Sequence, residues 1–256
     1  MRTVLISYFI VIILASCQIA DKPLADQEKE TVLIANQKFT DLNKIHRIFK
    51  IYKDSSYIYT EIINELNHNK TESWRGKVQI SNDTIKFLPF RLNYNRSETA
   101  ILKNGFIEFI DGDYFHRMKI VRTNLKVKNL IDFKNFQDYS VFTFHKSANN
   151  LHSQKSFTNY DLTSNELNKI DILLKQVFSQ NNKLRKFSDY IKQLEAVKNA
   201  NNDKIIFIRC FCKGKSLQER YQYFLTTMHD GGNCNIYIEL NLTTGKIEIM
   251  NIAGLA

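Results

Sequence analysis

Trp74-Arg75-Gly76-Lys77-Val78-Gln79-Ile80-Ser81-Asn82-Asp83-Thr84-Ile85-Lys86-Phe87-Leu88 contains two β-like runs, Trp74 to Ile80 and Thr84 to Leu88, on either side of a polar turn signal. Short runs separated by Ser, Asn and Asp read as neighbouring antiparallel strands, because those residues favour chain reversal and the runs are too short for helices. The same grammar extends in both directions. Ser56 to Ile63 precedes the stretch, and Glu98 to Leu102, Phe106 to Ile110 and Tyr114 to Val121 follow it. Lys103-Asn104-Gly105 and Asp111-Gly112-Asp113 mark the intervening turns. Residues 31–145 are therefore expected to form an antiparallel β barrel or sandwich. Ahead of these runs, Leu42, Ile45, Ile48 and Phe49 are spaced for a short helix after Thr40 or for one more strand.

The pattern changes after Thr163. Leu167, Ile170, Leu173, Leu174, Val177 and Phe178 recur at helical spacing, and Thr163 with Glu166 has the separation of a capping box. Leu184 to Val197 is ambiguous, whereas Lys204 to Cys212 is strongly β. Arg220 to Met228, Asn235 to Leu242 and Lys246 to Ile252 are read as three more strands. Residues 160–256 are thus expected to place one helix on a meandering antiparallel sheet, cystatin-like in shape, which makes the fold class α+β. The polar stretch Lys146 to Asn159, where apolar periodicity lapses, is the expected boundary between the two modules.

The chain begins Met1-Arg2-Thr3 and then runs apolar from Val4 to Leu14, interrupted by Ser7. This is the charged start and apolar stretch of an export signal, and it is too short for the roughly 20 apolar residues of a membrane-crossing helix. Leu14-Ala15-Ser16-Cys17 resembles the lipobox of bacterial lipoproteins, in which the peptidase cuts before the cysteine and the thiol carries lipid. The resemblance implies a signal peptide at 1–16, lipidation of Cys17 and a membrane as the first partner. Residues 17–30 are polar, include Pro23 and read as a tether. Gln18 is not the aspartate associated with inner-membrane retention, so the expected location is the cell envelope at the outer membrane.

The formal charge is +10, and loss of Arg2 with the signal leaves +9. The basic residues are scattered, with no run of five, so they do not mark a nucleic-acid surface, and an exported protein is not expected to meet nucleic acid. High Lys, Asn and Ile with only 8 Gly and 2 Pro matches the bias of an AT-rich genome.

Asp189-Tyr190-Ile191-Lys192-Gln193, Arg209-Cys210-Phe211-Cys212, Asp230-Gly231-Gly232-Asn233-Cys234, Asn241-Leu242-Thr243-Thr244 and Gly254-Leu255-Ala256 resemble a set of predicted lipoproteins from the Bacteroidetes that have no assigned activity. The resemblance implies a strand from Tyr190 to Val197 that turns at Asn199 to Asp203, and it implies no chemistry. The first half is likewise similar to lipocalin-like small barrels in its succession of strands and turns. In such a barrel Trp74 and the many Phe and Tyr residues would line a ligand cavity, but aromatic residues on alternating strands read first as core.

Cys210 and Cys212 share one face of a strand, and Cys234 opens another, so Cys234 is within cross-strand reach of either. Buried strand cysteines, with or without one bridge, are the expected outcome, and one bridge would leave one thiol free. The alternative is a thiolate metal site from Cys210, Cys212 and Cys234 with His229, although isolated Cys-x-Cys spacing is unlike a zinc knuckle. Asp111-Gly112-Asp113 lacks the further acids of a calcium loop and reads as a turn. His116 shares strand parity with Met118 and Ile120 and reads as a packed, hydrogen-bonded histidine. Asp230 to Asn233 reads as a tight hairpin turn. GxSxG, HExxH, P-loop, dinucleotide-binding and CxxC patterns are absent from the sequence. The sequence therefore points to a membrane-anchored, non-enzymatic binding module with a protein or glycan partner and no cofactor beyond the lipid. A metal-handling protein and an envelope hydrolase are the alternatives.

Overall fold

The computed structural model describes residues 29–39, 44–65, 68–144, 156–226 and 228–253. The signal peptide, Cys17, nearly all of the tether, most of the stretch at 146–159 and residues 254–256 lie outside them. Residues 31–256 cluster as one compact unit.

Eight antiparallel strands close into a barrel: β1 (Thr31–Lys38), β2 (Lys44–Tyr52), β3 (Ser56–Glu65), β4 (His68–Ser81), β5 (Thr84–Leu88), β6 (Thr99–Lys103), β7 (Phe106–Phe109) and β8 (His116–Thr123). Each strand pairs with the next, and β8 returns to β1 with a register shift between Ile34 and Ala35. Closure removes free sheet edges, which excludes the sandwich alternative. The stretch from Trp74 to Leu88 is the β4–β5 hairpin, with Ser81 opposite Thr84 and Asn82 at φ 55° in its turn. The β6–β7 hairpin turns through Asn104 at φ 51° and Gly105 at φ 81°, left-handed conformations that Asn and Gly adopt most readily.

Eight strands leave an interior just wide enough for side chains to fill. Here aromatic rings fill it, so the reading of core is the one observed. Phe49 lies 5.7 Å from Tyr57, 6.2 Å from Phe87 and 5.7 Å from Phe109. Gly76, opposite Tyr57 in the ladder, leaves room for that ring. A Cβ there would come within 2.6 Å of it.

The second layer is a sheet containing β9 (Tyr139–Phe142), β10 (Thr158–Asn159), β11 (Tyr190–Lys198), β12 (Lys204–Cys212), β13 (Asn235–Asn241) and β14 (Lys246–Ile252). β11 to β14 form the antiparallel meander, and β9 joins the edge of β11 in parallel. Helix α1 (Ser164–Gln180) starts at a complete capping box, Thr163 with Glu166. Its Leu167, Ile170, Leu174 and Phe178 are buried in a cluster with Tyr190, Leu194, Ile206, Ile208 and Ile238 of the sheet. Helix α2 (Lys215–Arg220) lies between β12 and β13.

Several expectations need correction. Thr31–Lys38, not read as a strand, is β1, and the stretch beginning at Leu42 continues as strand β2 where it is described. Arg220 to Met228 is not a strand: α2 ends at Arg220, and residues 221–226 are turn and loop, held by the buried amide of Gln193. Its Nε2 donates to the Tyr221 and Phe224 carbonyls at 2.7 and 2.6 Å, and its Oε1 accepts from the Thr226 N–H at 2.8 Å. Asp230 to Asn233 is not a hairpin turn. Gly231 at φ 109° leads into a single 3-10 turn, Gly232–Cys234, that feeds β13. Tyr139–Phe142, placed by sequence in the first module, is hydrogen-bonded into the second sheet.

Candidate functional site

Cys212 and Cys234 form a disulfide with Cα atoms 4.7 Å apart, and Cys210 is a buried free thiol. Burial pushes the Cys210 thiol up to about 12, so it stays protonated and inert. The three sulfurs cannot act together as thiolate ligands while that bond stands. Among the described residues, no group of three or more His, Cys, Asp and Glu is arranged to hold a metal ion. Asp111 works as a turn residue, accepting hydrogen bonds from the Glu98 and Thr99 N–H groups at 3.0 and 2.9 Å.

His116 points into the barrel, as its strand parity requires, and its Nε2 lies 3.0 Å from the Tyr59 hydroxyl. Tyr94 stacks on Tyr59 with ring centroids 4.4 Å apart, and the Arg47 guanidinium lies 5.4 Å from the Tyr94 centroid. Arg47 in turn donates to Glu61 and Gln37, each at 2.6 Å. Phe224 comes within 6.0 Å of the imidazole. Burial, reinforced by the Arg47 charge, holds His116 well below the ordinary histidine value, and it is neutral at pH 7. This polar group has the makings of acid-base chemistry, but His116 is completely buried and faces no solvent.

The next residue on β8 faces outward, and it organises the junction between barrel and sheet. Arg117 is buried, with its guanidinium between the rings of Phe106 (4.2 Å) and Phe142 (3.9 Å). Nη1 donates to Glu108 Oε1 at 2.7 Å and to the Val141 carbonyl at 2.8 Å. Nη2 donates to Ser140 Oγ, and Nε donates to the Gln222 carbonyl. Four of the five guanidinium N–H groups are thereby engaged, and the second one on Nη2 has no partner among the described residues. Behind Arg117, Glu108 Oε2 accepts from the Thr143 hydroxyl at 2.6 Å and from its N–H at 3.2 Å. Lys103 Nζ, 3.9 Å from Glu108, also donates to Asp161 at 3.0 Å. Burial pushes the Glu108 carboxyl up, but Lys103, Arg117 and the Thr143 hydrogen bond outweigh it and hold the group below its ordinary value. The Arg117 guanidinium, lowered by burial and supported by Glu108, stays charged.

In front of Arg117 opens a cleft of about 500 Å³. The β6–β7 turn supplies Asn104, β7 supplies Phe106, β8 supplies Arg117 and Lys119, the chain entering β9 supplies Phe133, Phe136 and Gln137, and β9 itself supplies Tyr139 and Ser140. Gln222 comes from the loop after α2. The volume falls within the roughly 300–1,000 Å³ typical of small-molecule sites, and the mixture of rings with a few polar groups has the same character. Among these lining residues there is no carboxylate and no imidazole. Tyr139 turns its hydroxyl away to donate to Asp171 at 2.8 Å. Exposed Lys119 has no ion-pair partner among the described residues.

A second, wider groove of about 970 Å³ runs along the loop after β5, beside Trp74, Lys86, Pro89 and Phe90. Phe90 is 77% exposed there, and two nearby cations are paired, Arg91 with Glu98 at 2.6 Å and Arg96 with Asp113 at 3.6 Å. Sequence reasoning identified neither groove as a site, because their lining residues are scattered along the chain and carry no motif spacing. No family model, no curated protein and no solved structure matches this chain.

Proposed function

We propose that this chain is a lipid-anchored lipoprotein of the cell envelope, held by Cys17 at the outer membrane, that binds its ligand without transforming it. The cleft in front of Arg117 is the binding site in this reading. The observation that carries it is the composition of that cleft. Aromatic rings and a guanidinium already fixed by four hydrogen bonds line a preformed space, and no lining residue is a carboxylate or a histidine, the groups most often used for proton transfer. Preorganised polar groups favour binding because little ordering is left to do when a ligand arrives. We liken the helix on the antiparallel meander to a cystatin in shape alone, an analogy that carries no activity.

Two measurements test the reading. Metabolic labelling with an alkynyl fatty acid should mark the wild-type protein and not Cys17→Ser. The purified mature Cys17→Ser protein, titrated with fragments of envelope glycans, should show NMR shift changes that map to Phe136, Gln137 and Lys119. Turnover of such a fragment that a single substitution in the cleft abolishes would overturn the non-enzymatic part.

A further inference from the structure

Resting on that binding site, we infer that its ligand is a carboxylated sugar, one whose carboxylate meets Lys119 and the spare N–H of Arg117 while its ring lies against the aromatic wall. Three features of the cleft support this, and each addresses a different part of the ligand.

Charge comes first. Behind the cleft, buried Arg117 pairs with buried Glu108 and buried Lys103 with half-buried Asp161, whose other oxygen takes Lys128 at 2.6 Å, so each of these cations has a carboxylate partner. Lys119 stands outside these pairs. It lies two residues along β8 from Arg117 and so projects from the same face of the strand. The cleft therefore presents an uncompensated cation beside a rigid guanidinium donor, with no lining carboxylate to repel an anion. A carboxylate accepts charge-assisted hydrogen bonds from both kinds of donor.

The rings come second. Phe133 and Phe136 are half-buried and line the same space as Phe106. Phe106 is held from behind by the Arg117 guanidinium and lies 6.1 Å from Tyr223, so its position is fixed before a ligand arrives. Flat apolar walls of this kind match the C–H face of a pyranose and exclude water from the contact. A bare inorganic anion would gain nothing from them.

The third feature is the set of amides. Asn104 uses its Oδ1 on the Leu130 and Ile131 N–H groups at 2.8 and 3.3 Å, which orients its amide N–H pair away from them. Gln222 uses its Nε2 on the Tyr221 hydroxyl at 2.9 Å, and its Oε1 has no hydrogen-bond partner among the described residues. The Gln137 side chain is exposed at the rim. Donors and acceptors of both kinds thus border the space, as hydroxyl groups require.

The test titrates the mature Cys17→Ser protein, followed by two-dimensional NMR, with methyl β-D-glucuronide, methyl β-D-glucoside and sodium acetate. The two glycosides differ only in the carboxylate. The glucuronide should bind at the cleft about tenfold more tightly than the glucoside, the ratio expected for one charge-assisted contact, and acetate should bind more weakly still. Lys119→Glu, a substitution at an exposed position that preserves the fold, should remove the glucuronide preference, and added salt should weaken it. Equal or tighter binding of the glucoside would overturn the carboxylate and leave the binding reading standing. Acetate binding as well as the glucuronide would overturn the sugar. No binding by any of the three would overturn the inference, and the wider fragment titration would then decide separately whether the cleft binds anything.

Discussion

His116 shows how much one buried side chain can impose on the whole protein. Its Nε2 meets the Tyr59 hydroxyl, and its Nδ1 has no partner among the described residues. Protonation would place a charge inside an aromatic core, so burial and Arg47 keep it neutral. In the unfolded chain the same imidazole takes up a proton below about pH 6.5. Stability is therefore fully present above that value and falls as pH drops toward the lower folded value, by up to about 1.4 kcal/mol per pH unit. Chemical denaturation at pH 7 and pH 5 should show this loss, and His116→Phe should flatten the slope even though it removes the hydrogen bond between the imidazole and the Tyr59 hydroxyl. Half-buried His46, also lowered by burial and by Lys38, adds to the same window, so a residual slope is expected. At Glu108 the effect is static. Glu108→Gln leaves Arg117 buried beside a neutral partner, and removing one member of such a pair costs roughly 3–5 kcal/mol. Urea unfolding at pH 7 should show a loss of this size, and a loss below 1 kcal/mol would mean that Thr143 and the carbonyls satisfy Arg117 without it. The two neighbours differed in legibility. The inward direction of His116 follows from period-two parity, whereas the role of Arg117 depends on Glu108, Ser140, Val141 and Gln222, which no local spacing connects.

Elements whose signals are local were legible, and those defined by distant partners were not. The β4–β5 and β6–β7 hairpins carry their turn residues within the stretch itself, and the α1 capping box lies three residues across. β1 follows directly on the polar tether, and its TVLIANQK contains too much polarity to stand out, because Gln37 serves Arg117 and Arg47 rather than the core. Residues 220–228 mimic a strand because Tyr223 and Phe224 are aromatic. Those rings pack against Phe39 at 5.6 and 5.8 Å, over the end of the barrel. The disulfide anchors this excursion by joining the end of β12 to the turn before β13 across 22 residues. Replacing both cysteines by serine should cost about 3 kcal/mol by loop-closure entropy, seen as a lower Tm that matches the reduced wild type. At the start of α1, burial pushes the Glu166 carboxyl up, but hydrogen bonds from Lys204, Tyr160 and Thr163 outweigh it and hold it at about 2. That contribution is present above about pH 4.5, the ordinary glutamate value, and is lost as pH falls toward 2. Glu166→Gln should therefore reduce the acid sensitivity of the Tm between pH 5 and pH 3, and an unchanged profile would remove the capping box from the account.

Across the whole molecule, the question is whether barrel and sheet are two domains or one. Sequence reading placed a boundary at Lys146 to Asn159, yet the chain crosses between the layers well before it. β9 pairs with β11, the Arg117 side chain of β8 binds the backbone of β9 and of Gln222, and Gln193 of β11 holds the loop whose Phe224 lies near His116. Separating the layers would leave Arg117 and Glu108 as charges designed for burial, without the carbonyls and hydroxyls that now satisfy them. An energetic penalty of that kind couples the two halves, because neither can unfold without stranding the polar groups of the other. Differential scanning calorimetry should therefore show a single transition whose calorimetric and van't Hoff enthalpies agree. Glu108→Gln should lower the midpoint of that one peak. Two resolved peaks in the wild type would show that the barrel is a separate domain, and the rigidity assigned to the cleft would fail with the coupling, since its walls come from both layers. A single peak carries a corollary for binding: a cleft ligand should raise the one midpoint, stabilising barrel and sheet together by RT ln(1 + [L]/Kd).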